Sequence, residues 1–171
     1  MGAGRSTTAV RLAESVNKLY DLDSAATDRV LVAGLLLRVR EMLIRDLDSV
    51  LSDLGTTHAQ YQVLSIVCQE PGGLQLKEIA ARASVHPTTM TSTIDRLVRD
   101  GLIQRYPDPK DRRGTLAVAT RKGQKLYTRA HAELAATEYG LADVDSEAIK
   151  SLADNLDQLA FALERRSATN E

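Results

Sequence analysis

The fold is decided by residues 86–114, HPTTMTSTIDRLVRDGLIQRYPDPKDRRG. Pro87 suits the first position of a helix, where its missing N–H has no partner to lose, and Gly101 suits the position just beyond a helix end. Four apolar side chains lie between them at helical spacing: Met90, Ile94, Leu97 and Val98. We therefore predict a helix over residues 87–99 that buries this face.

The opposite face of the predicted helix is polar. It carries Thr88, Ser92, Asp95, Arg96 and Arg99, with Thr89 and Thr91 on its flanks. Threonine is a mediocre helix former, so a face selected for helix stability alone would carry Glu, Lys or Ala. Hydroxyls and arginines can bond base edges and phosphates in a DNA major groove, and short side chains let the helix N-terminus approach phosphate closely. Taken alone, the helix also fits an ordinary solvated face, and that alternative stays open.

A charged hairpin tip follows the helix. We predict two short strands over residues 102–106 and 115–119, joined by a tip that carries Lys110, Arg112 and Arg113. An arginine at a rigid tip can enter the narrow, electronegative minor groove of DNA. Asp111 can orient Arg113 through a charge-assisted pair. A charged surface turn is the simpler alternative.

Positive charge is concentrated around these two elements. Residues 77–125 contain 11 Lys and Arg but five Asp and Glu, a net charge of +6, whereas the whole chain of 171 residues has −1. A basic middle between acidic arms is typical of a module that faces phosphate. The pattern therefore favours a nucleic-acid partner for the middle of the chain.

The remaining sequence predicts helices on both sides of this module. Apolar residues recur at three- and four-residue spacing in each, and Thr57 with Gln60 matches a capping box. The expected helices cover residues 10–20, 28–54, 57–69, 76–83, 120–139 and 145–166, after a disordered tail over residues 1–9. The fold class is therefore mainly α: a winged helix-turn-helix with a two-stranded β wing, flanked by long N- and C-terminal dimerisation helices.

Other classes of function find little support in the composition. No apolar run reaches the length of a membrane span and no signal peptide is recognisable, so we expect a cytoplasmic protein without a membrane partner. The single cysteine, Cys68, lies on an apolar helix stripe and is expected to be an inert core thiol rather than a redox switch. His58, His86 and His131 fall on separate elements, so we expect no metal. We expect no cofactor and no enzymatic activity, because no catalytic motif has its required context.

Residues 57–123 resemble the multiple-antibiotic-resistance regulator (MarR) family of winged-helix repressors. The resemblance rests on LKEIA at 76–80, TSTIDRLV at 91–98, GLI at 101–103, DPKDRR at 108–113 and TRKG at 120–123. It departs from the family at Ser92, where many relatives have arginine, and at Ala119, where a larger aliphatic residue is usual. The base preference of relatives therefore does not transfer to this chain.

The resemblance implies a two-fold homodimer that binds a pseudo-palindromic double-stranded DNA operator and is often released by a small-molecule effector. Its expected parts are N-terminal dimerisation helices over residues 10–56, a DNA-binding domain over 57–120 and C-terminal helices over 121–171 that complete the dimer interface. The expected DNA contacts are Pro87, Thr88, Thr89, Thr91, Ser92, Arg96, Lys110, Asp111, Arg112 and Arg113.

Two questions stay open from the sequence. The effector site is unknown, although Arg38, Arg40, Arg45 and His131 are conceivable contributors to an anion pocket; ordinary surface ion pairs are the simpler explanation for each. The alternative function is a winged-helix module that binds protein without specific DNA binding.

Overall fold

The computed structural model describes residues 7–20, 23–111 and 114–169. These residues form seven α-helices and a three-stranded antiparallel sheet, in the order α1 (Thr7–Tyr20), α2 (Ser24–Ser52), α3 (His58–Cys68), β1 (Leu74–Gln75), α4 (Leu76–Arg82), α5 (Pro87–Arg99), β2 (Ile103–Pro107), β3 (Thr115–Ala119), α6 (Arg121–Ala136) and α7 (Ser146–Thr169). A 3-10 turn at Glu138–Gly140 separates α6 from α7. The predicted fold class, mainly helical with a winged helix-turn-helix, is confirmed.

Side-chain caps explain where several helices begin. The predicted capping box is present, since Thr57 and Gln60 each bond the other's backbone N–H. Thr120 accepts from the Gly123 N–H at 3.0 Å and starts α6. Asp23 caps α2 by accepting from the Ala26 N–H at 2.7 Å, so α2 begins four residues before the predicted start at 28.

Other boundaries differ from prediction by a few residues. Of the predicted tail over residues 1–9, residues 1–6 lie outside the described residues, and 7–9 already belong to α1. Helix α6 ends at Ala136 rather than 139, because Glu138 and Tyr139 adopt positive φ angles of 47° and 54°. Among the described residues, no helix is long and apolar enough to cross a bilayer.

The sheet contains a strand that the sequence analysis missed. The strand order is β1-β3-β2, with Leu74 opposite Ala117 and Ile103 opposite Ala119. Gly73 permits β1 to join, since its φ is +80° and a Cβ there would lie 2.7 Å from a methyl of Val118. Two residues are too short to show the alternation that identifies a strand.

One apolar core unites the central elements. Its fully buried members include Leu64 and Val67 of α3, Ile79 of α4, Ile94 of α5 and Ile103 of β2. A smaller cluster, Leu51, Ala130 and Leu134, joins α2 to α6. Burial of a side chain of this size contributes about 1.5–3 kcal/mol, so the orientation of α5 and the sheet is set mainly by this core.

The outer helices α2 and α7 leave large apolar side chains in solvent. Leu37 is 67% exposed and Phe161 60% exposed. The same helices also expose Val32, Val39, Met42, Leu152, Leu156 and Leu163. Exposed apolar surface on this scale marks an interaction site.

The close approach of α6 to the segment after α5 can be tested at Gly123. A Cβ there would lie 2.1 Å from the carbonyl oxygen of Leu102, which is backbone and cannot rotate away. We expect Gly123→Ala to lower the free energy of unfolding by about 1–3 kcal/mol. Gly72→Ala is the matched control, since a Cβ there meets nothing within 4 Å, and its effect should stay within about 0.5 kcal/mol. Equal stability of both variants in urea unfolding would contradict this packing.

Candidate nucleic-acid interface

Helix α5 turns its apolar face into the core and its polar face outward. Met90, Ile94 and Leu97 are buried. The side chains predicted to contact DNA on this helix are exposed: Thr88, Thr89, Thr91, Ser92 and Arg96. Pro87 occupies the first helical position as predicted, although its side chain lies outside the described residues. The helix therefore offers hydroxyls near its start and a guanidinium in its second half.

Hydrogen bonds within α5 decide what its hydroxyls can offer. Ser92 Oγ donates to the carbonyl oxygen of Thr89 at 2.9 Å, and Thr93 Oγ1 donates to the same oxygen at 3.1 Å. Because its proton points back into the helix, the Ser92 hydroxyl presents lone pairs outward. In this rotamer Ser92 can accept from a base amino group but cannot donate to a phosphate.

The start of α5 is capped by a histidine. Nδ1 of His86 accepts from the Thr88 N–H at 3.3 Å, with Pro87 as the first helical residue. This partner occupies one of the N–H groups that a helix N-terminus leaves unsatisfied. His86 therefore acts as the N-cap of α5.

An ion pair joins α5 to the wing. Arg105 Nη2 of β2 donates to Asp95 Oδ1 at 2.7 Å. Both side chains are partly exposed, so the pair contributes little to stability, about 0–1 kcal/mol. Its effect is on charge and orientation, since it pairs the carboxylate on the exposed face of α5 with a guanidinium of the wing. Sequence analysis placed Asp95 on that face but did not find its partner, because the two residues lie ten positions apart on a helix and a strand.

The hairpin tip is organised around a carboxylate that sequence analysis overlooked. Asp108 is only 8% exposed. Its Oδ2 accepts from Gln75 Nε2 at 2.5 Å, and its Oδ1 accepts from the Lys110 backbone N–H at 2.8 Å. These bonds, the Gln75 one first, hold the pKa of Asp108 below its usual value. The carboxylate is therefore ionised at neutral pH and acts as an acceptor only.

The remaining predicted wing residues are placed in part. Lys110 and Asp111 are exposed at the tip, and the Gly114 N–H donates to the Asp111 carbonyl oxygen at 2.8 Å. Arg112 and Arg113 lie outside the described residues, so the predicted pairing of Asp111 with Arg113 stays a prediction. Helix α5 and the base of the wing share one core, because Ile94 and Ile103 belong to the same cluster.

The C-terminal end of α5 is also anchored. Lys122 Nζ donates to the carbonyl oxygen of Asp100 at 2.7 Å, and Gln60 Nε2 reaches Asp100 Oδ2 at 3.4 Å. A cation at this position complements the negative end of the helix dipole. Lys122 therefore stabilises the end of α5, a role that the sequence analysis did not predict.

The histidines do not converge on a metal site. No group of three or more metal-ligating side chains occurs within residues 7–20, 23–111 and 114–169. His131 instead joins an aromatic cluster, where Tyr139 Oη lies 2.7 Å and Tyr61 Oη 3.3 Å from its Nδ1. The backbone N–H of His58 donates to Asp48 Oδ1 at 2.6 Å.

Two cavities lie beside Leu54, near the end of α2, and the conceivable anion pocket stays a prediction. A cavity of about 310 Å³ is lined by Leu54, Gly55, Asp100, Leu102, Lys122 and Leu126. A second cavity of about 370 Å³ lies between α2 and α6 and includes Arg129 and Glu133. Neither contains Arg38, Arg40, Arg45 or His131, and Arg40 pairs with its neighbour Glu41 at 3.2 Å.

Comparison with known proteins identifies the family. The sequence profile of the MarR family matches residues 56–115. The multiple antibiotic resistance protein MarR of Escherichia coli is 32% identical over 126 residues, covering 71% of this chain and 80% of that protein. Sco5413, a MarR family transcriptional regulator from Streptomyces coelicolor, matches with a TM-score of 0.74 and 32% identity, covering 81% of this chain and 96% of that one.

The same fold occurs in a structure that contains DNA. A mutant of MarR from E. coli complexed with operator DNA matches with a TM-score of 0.71 and 24% identity, covering 80% of this chain and 99% of that one. The chain belongs to the MarR family. It is a transcriptional regulator of a DNA-binding family and not an enzyme.

The environment of Cys68 predicts low reactivity. The thiol packs beside the central core, and burial raises its pKa to about 11. With a pKa about two higher, the native protein has about a hundredfold less thiolate at pH 8 than the unfolded chain. We expect Cys68 to react with a disulfide reagent at least 100-fold more slowly in the native protein than in urea. Equal rates would contradict an inert core thiol.

Proposed function

We propose that the protein is a sequence-specific repressor that binds a pseudo-palindromic operator in double-stranded DNA as a cytoplasmic homodimer. In this proposal α5 enters the major groove with Pro87, Thr88, Thr89, Thr91, Ser92 and Arg96. The wing contacts the neighbouring minor groove and its phosphates with Lys110, Asp111, Arg112 and Arg113. Residues 57–120 are the DNA-binding unit, and residues 10–56 and 121–171 supply the dimer interface.

One observation carries the proposal. The polar face of α5 is exposed while Met90, Ile94 and Leu97 on its other face are buried. This face belongs to the part of the chain with a net charge of +6. Short hydroxylated side chains followed by an arginine suit a groove whose edges present acceptors, donors and thymine methyls.

The homodimer is supported by the exposed apolar surface of α2 and α7. A groove of about 460 Å³ between these helices is lined mainly by Val32, Ala33, Leu36, Leu159 and Leu163. Such surface is costly in water and is usually covered in an oligomer. A two-fold dimer would present two copies of α5 to successive turns of a duplex, which is why the operator is expected to be pseudo-palindromic.

The proposal also includes a small-molecule effector that lowers DNA affinity. One cavity beside Leu54 lies where α2 and α6 meet the end of α5, and the other lies between α2 and α6. A ligand there could bias the position of the DNA-binding unit relative to the outer helices. The residues that would select an effector are not assigned.

Selection of bound sequences from random duplex DNA tests the proposal against the alternative of a protein-binding module. We expect enrichment of an inverted repeat, with an affinity that falls steeply with salt because phosphate contacts release counterions. Thr91→Ala and Ser92→Ala should change the selected bases more than the affinity for random DNA. A pool without enrichment, or affinity insensitive to salt, would favour the protein-binding alternative.

The role of the wing predicts the effect of Arg113→Ala. Loss of a minor-groove or phosphate contact should weaken operator binding by about 1–3 kcal/mol. The fold should be unchanged, which circular dichroism would check. Arg82→Ala, a matched removal of an exposed arginine on α4 that already pairs with Glu70, should bind like the parent protein. Parental affinity of the Arg113 variant would remove this residue from the interface.

The apolar groove predicts the effect of charge on assembly. Leu36→Asp would bury a carboxylate in the proposed interface and should raise the dimer dissociation constant at least roughly tenfold. Ala81→Asp, on the exposed face of α4 and outside the proposed interface, is the control and should leave the dimer intact. Light scattering at micromolar concentration measures both. A folded, monomeric parent protein would refute the dimer.

A further inference from the structure

One long-range hydrogen bond links the wing tip to the helix-turn-helix. Gln75 Nε2 donates to Asp108 Oδ2 at 2.5 Å across 33 residues of sequence. In the sheet Gln75 lies opposite Leu116, the second residue of β3, so it stands at the end of the sheet nearest the tip. Gln75 also directly precedes α4, and its backbone N–H donates to Glu78 Oε2 at 2.9 Å. The amide is therefore attached to the first helix of the helix-turn-helix.

Asp108 connects that amide to the backbone of the tip. Its second carboxylate oxygen accepts from the Lys110 N–H, and its own N–H donates to the Gly114 carbonyl oxygen at 3.0 Å. A Cβ on Gly114 would lie 3.1 Å from both Asp108 Cβ and Gln75 Nε2. The tip is closely packed around the carboxylate, so the position of the Gln75 amide also fixes the position of Lys110.

The bond is suited to holding a tip in place. A neutral donor on a buried carboxylate forms a charge-assisted hydrogen bond, stronger than one between neutral groups. If the donor is lost, the carboxylate is left short of a partner in a site that is almost closed to water. The tip would then open towards solvent and move Lys110 away from its place in the folded tip.

We propose that Gln75 is a positioning residue for DNA recognition: through Asp108 it holds Lys110 in register with α5. The inference rests on the proposed function, since it concerns how the wing meets DNA. The link runs through α4, which packs with α5 in one core around Ile79 and Ile94. A tip that is already ordered before DNA binds loses less conformational entropy on binding.

An exchange of charges across the bond tests this role. Gln75→Glu places two carboxylates opposite each other. In Asp108→Asn the amide oxygen still accepts from the Lys110 backbone N–H, so the amide nitrogen faces the Gln75 amide nitrogen. The double variant restores a donor and an acceptor with the parent net charge. We expect each single change to weaken operator binding about five- to tenfold. The double change should return the operator affinity to within about twofold of the parent protein. Gln75→Leu removes the donor without adding charge and should resemble the single changes.

Two further measurements separate positioning from general loosening. In the single variants Lys110→Ala should cost less than in the parent protein, because Lys110 is already misplaced. Arg96→Ala removes a proposed DNA contact of α5. It should lower operator affinity by the same factor in the parent protein and in each single variant. Gln104→Glu is the matched control, because its amide bonds to Tyr106 within the same strand and not to the tip; it should not change the cost of Lys110→Ala.

The outcomes divide cleanly. The positioning role is supported if the double variant restores operator affinity and if the single changes alter the effect of Lys110→Ala but not that of Arg96→Ala. Parental binding by Gln75→Leu, or additive losses of the two single changes in the double variant, overturns it while leaving the proposed function intact. Failure of the parent protein to select any duplex overturns both.

Discussion

Burial of one face of α5 is the constraint on which the rest of the structure depends. Ile94 and Leu97 are wholly buried among residues of α3, α4 and the sheet. Residues on the other side of the helix must then face solvent, and Thr88, Thr91 and Arg96 are exposed there. Loss of one such core contact costs about 2–5 kcal/mol, whereas an exposed ion pair is worth about 0–1 kcal/mol. The core therefore decides which face of the helix is available for DNA.

Polar contacts refine what the core establishes. Arg105 bonds Asp95 and thereby ties β2 to α5, while Lys122 caps the carbonyl end of the same helix. Asp108 differs from these surface pairs because it is nearly buried and receives several N–H donors. A few hydrogen bonds therefore fix the conformation of the wing tip, whereas apolar packing fixes the positions of the helices.

Helices were the most predictable part of the fold. Met90, Ile94 and Leu97 repeat with the period of a helix, and caps such as Thr57 act on backbone groups only a few residues away. The predicted recognition surface depended on the same periodicity, and its described members are exposed as expected. Strand β1 was missed because two residues carry no periodic signal, and its partner Ala117 lies more than forty residues along the chain.

Local chemistry within a few residues therefore determined the helices, the polar face of α5, the basic hairpin and the resemblance to the MarR family. Tertiary structure alone decided that Gln75 meets Asp108, that Arg105 meets Asp95 and that His131 lies between two tyrosines. The Gln75–Asp108, Arg105–Asp95 and His131–Tyr61 contacts each join residues on different elements. They arise only when the core has brought different elements together, so short-range patterns in the sequence contain no trace of them.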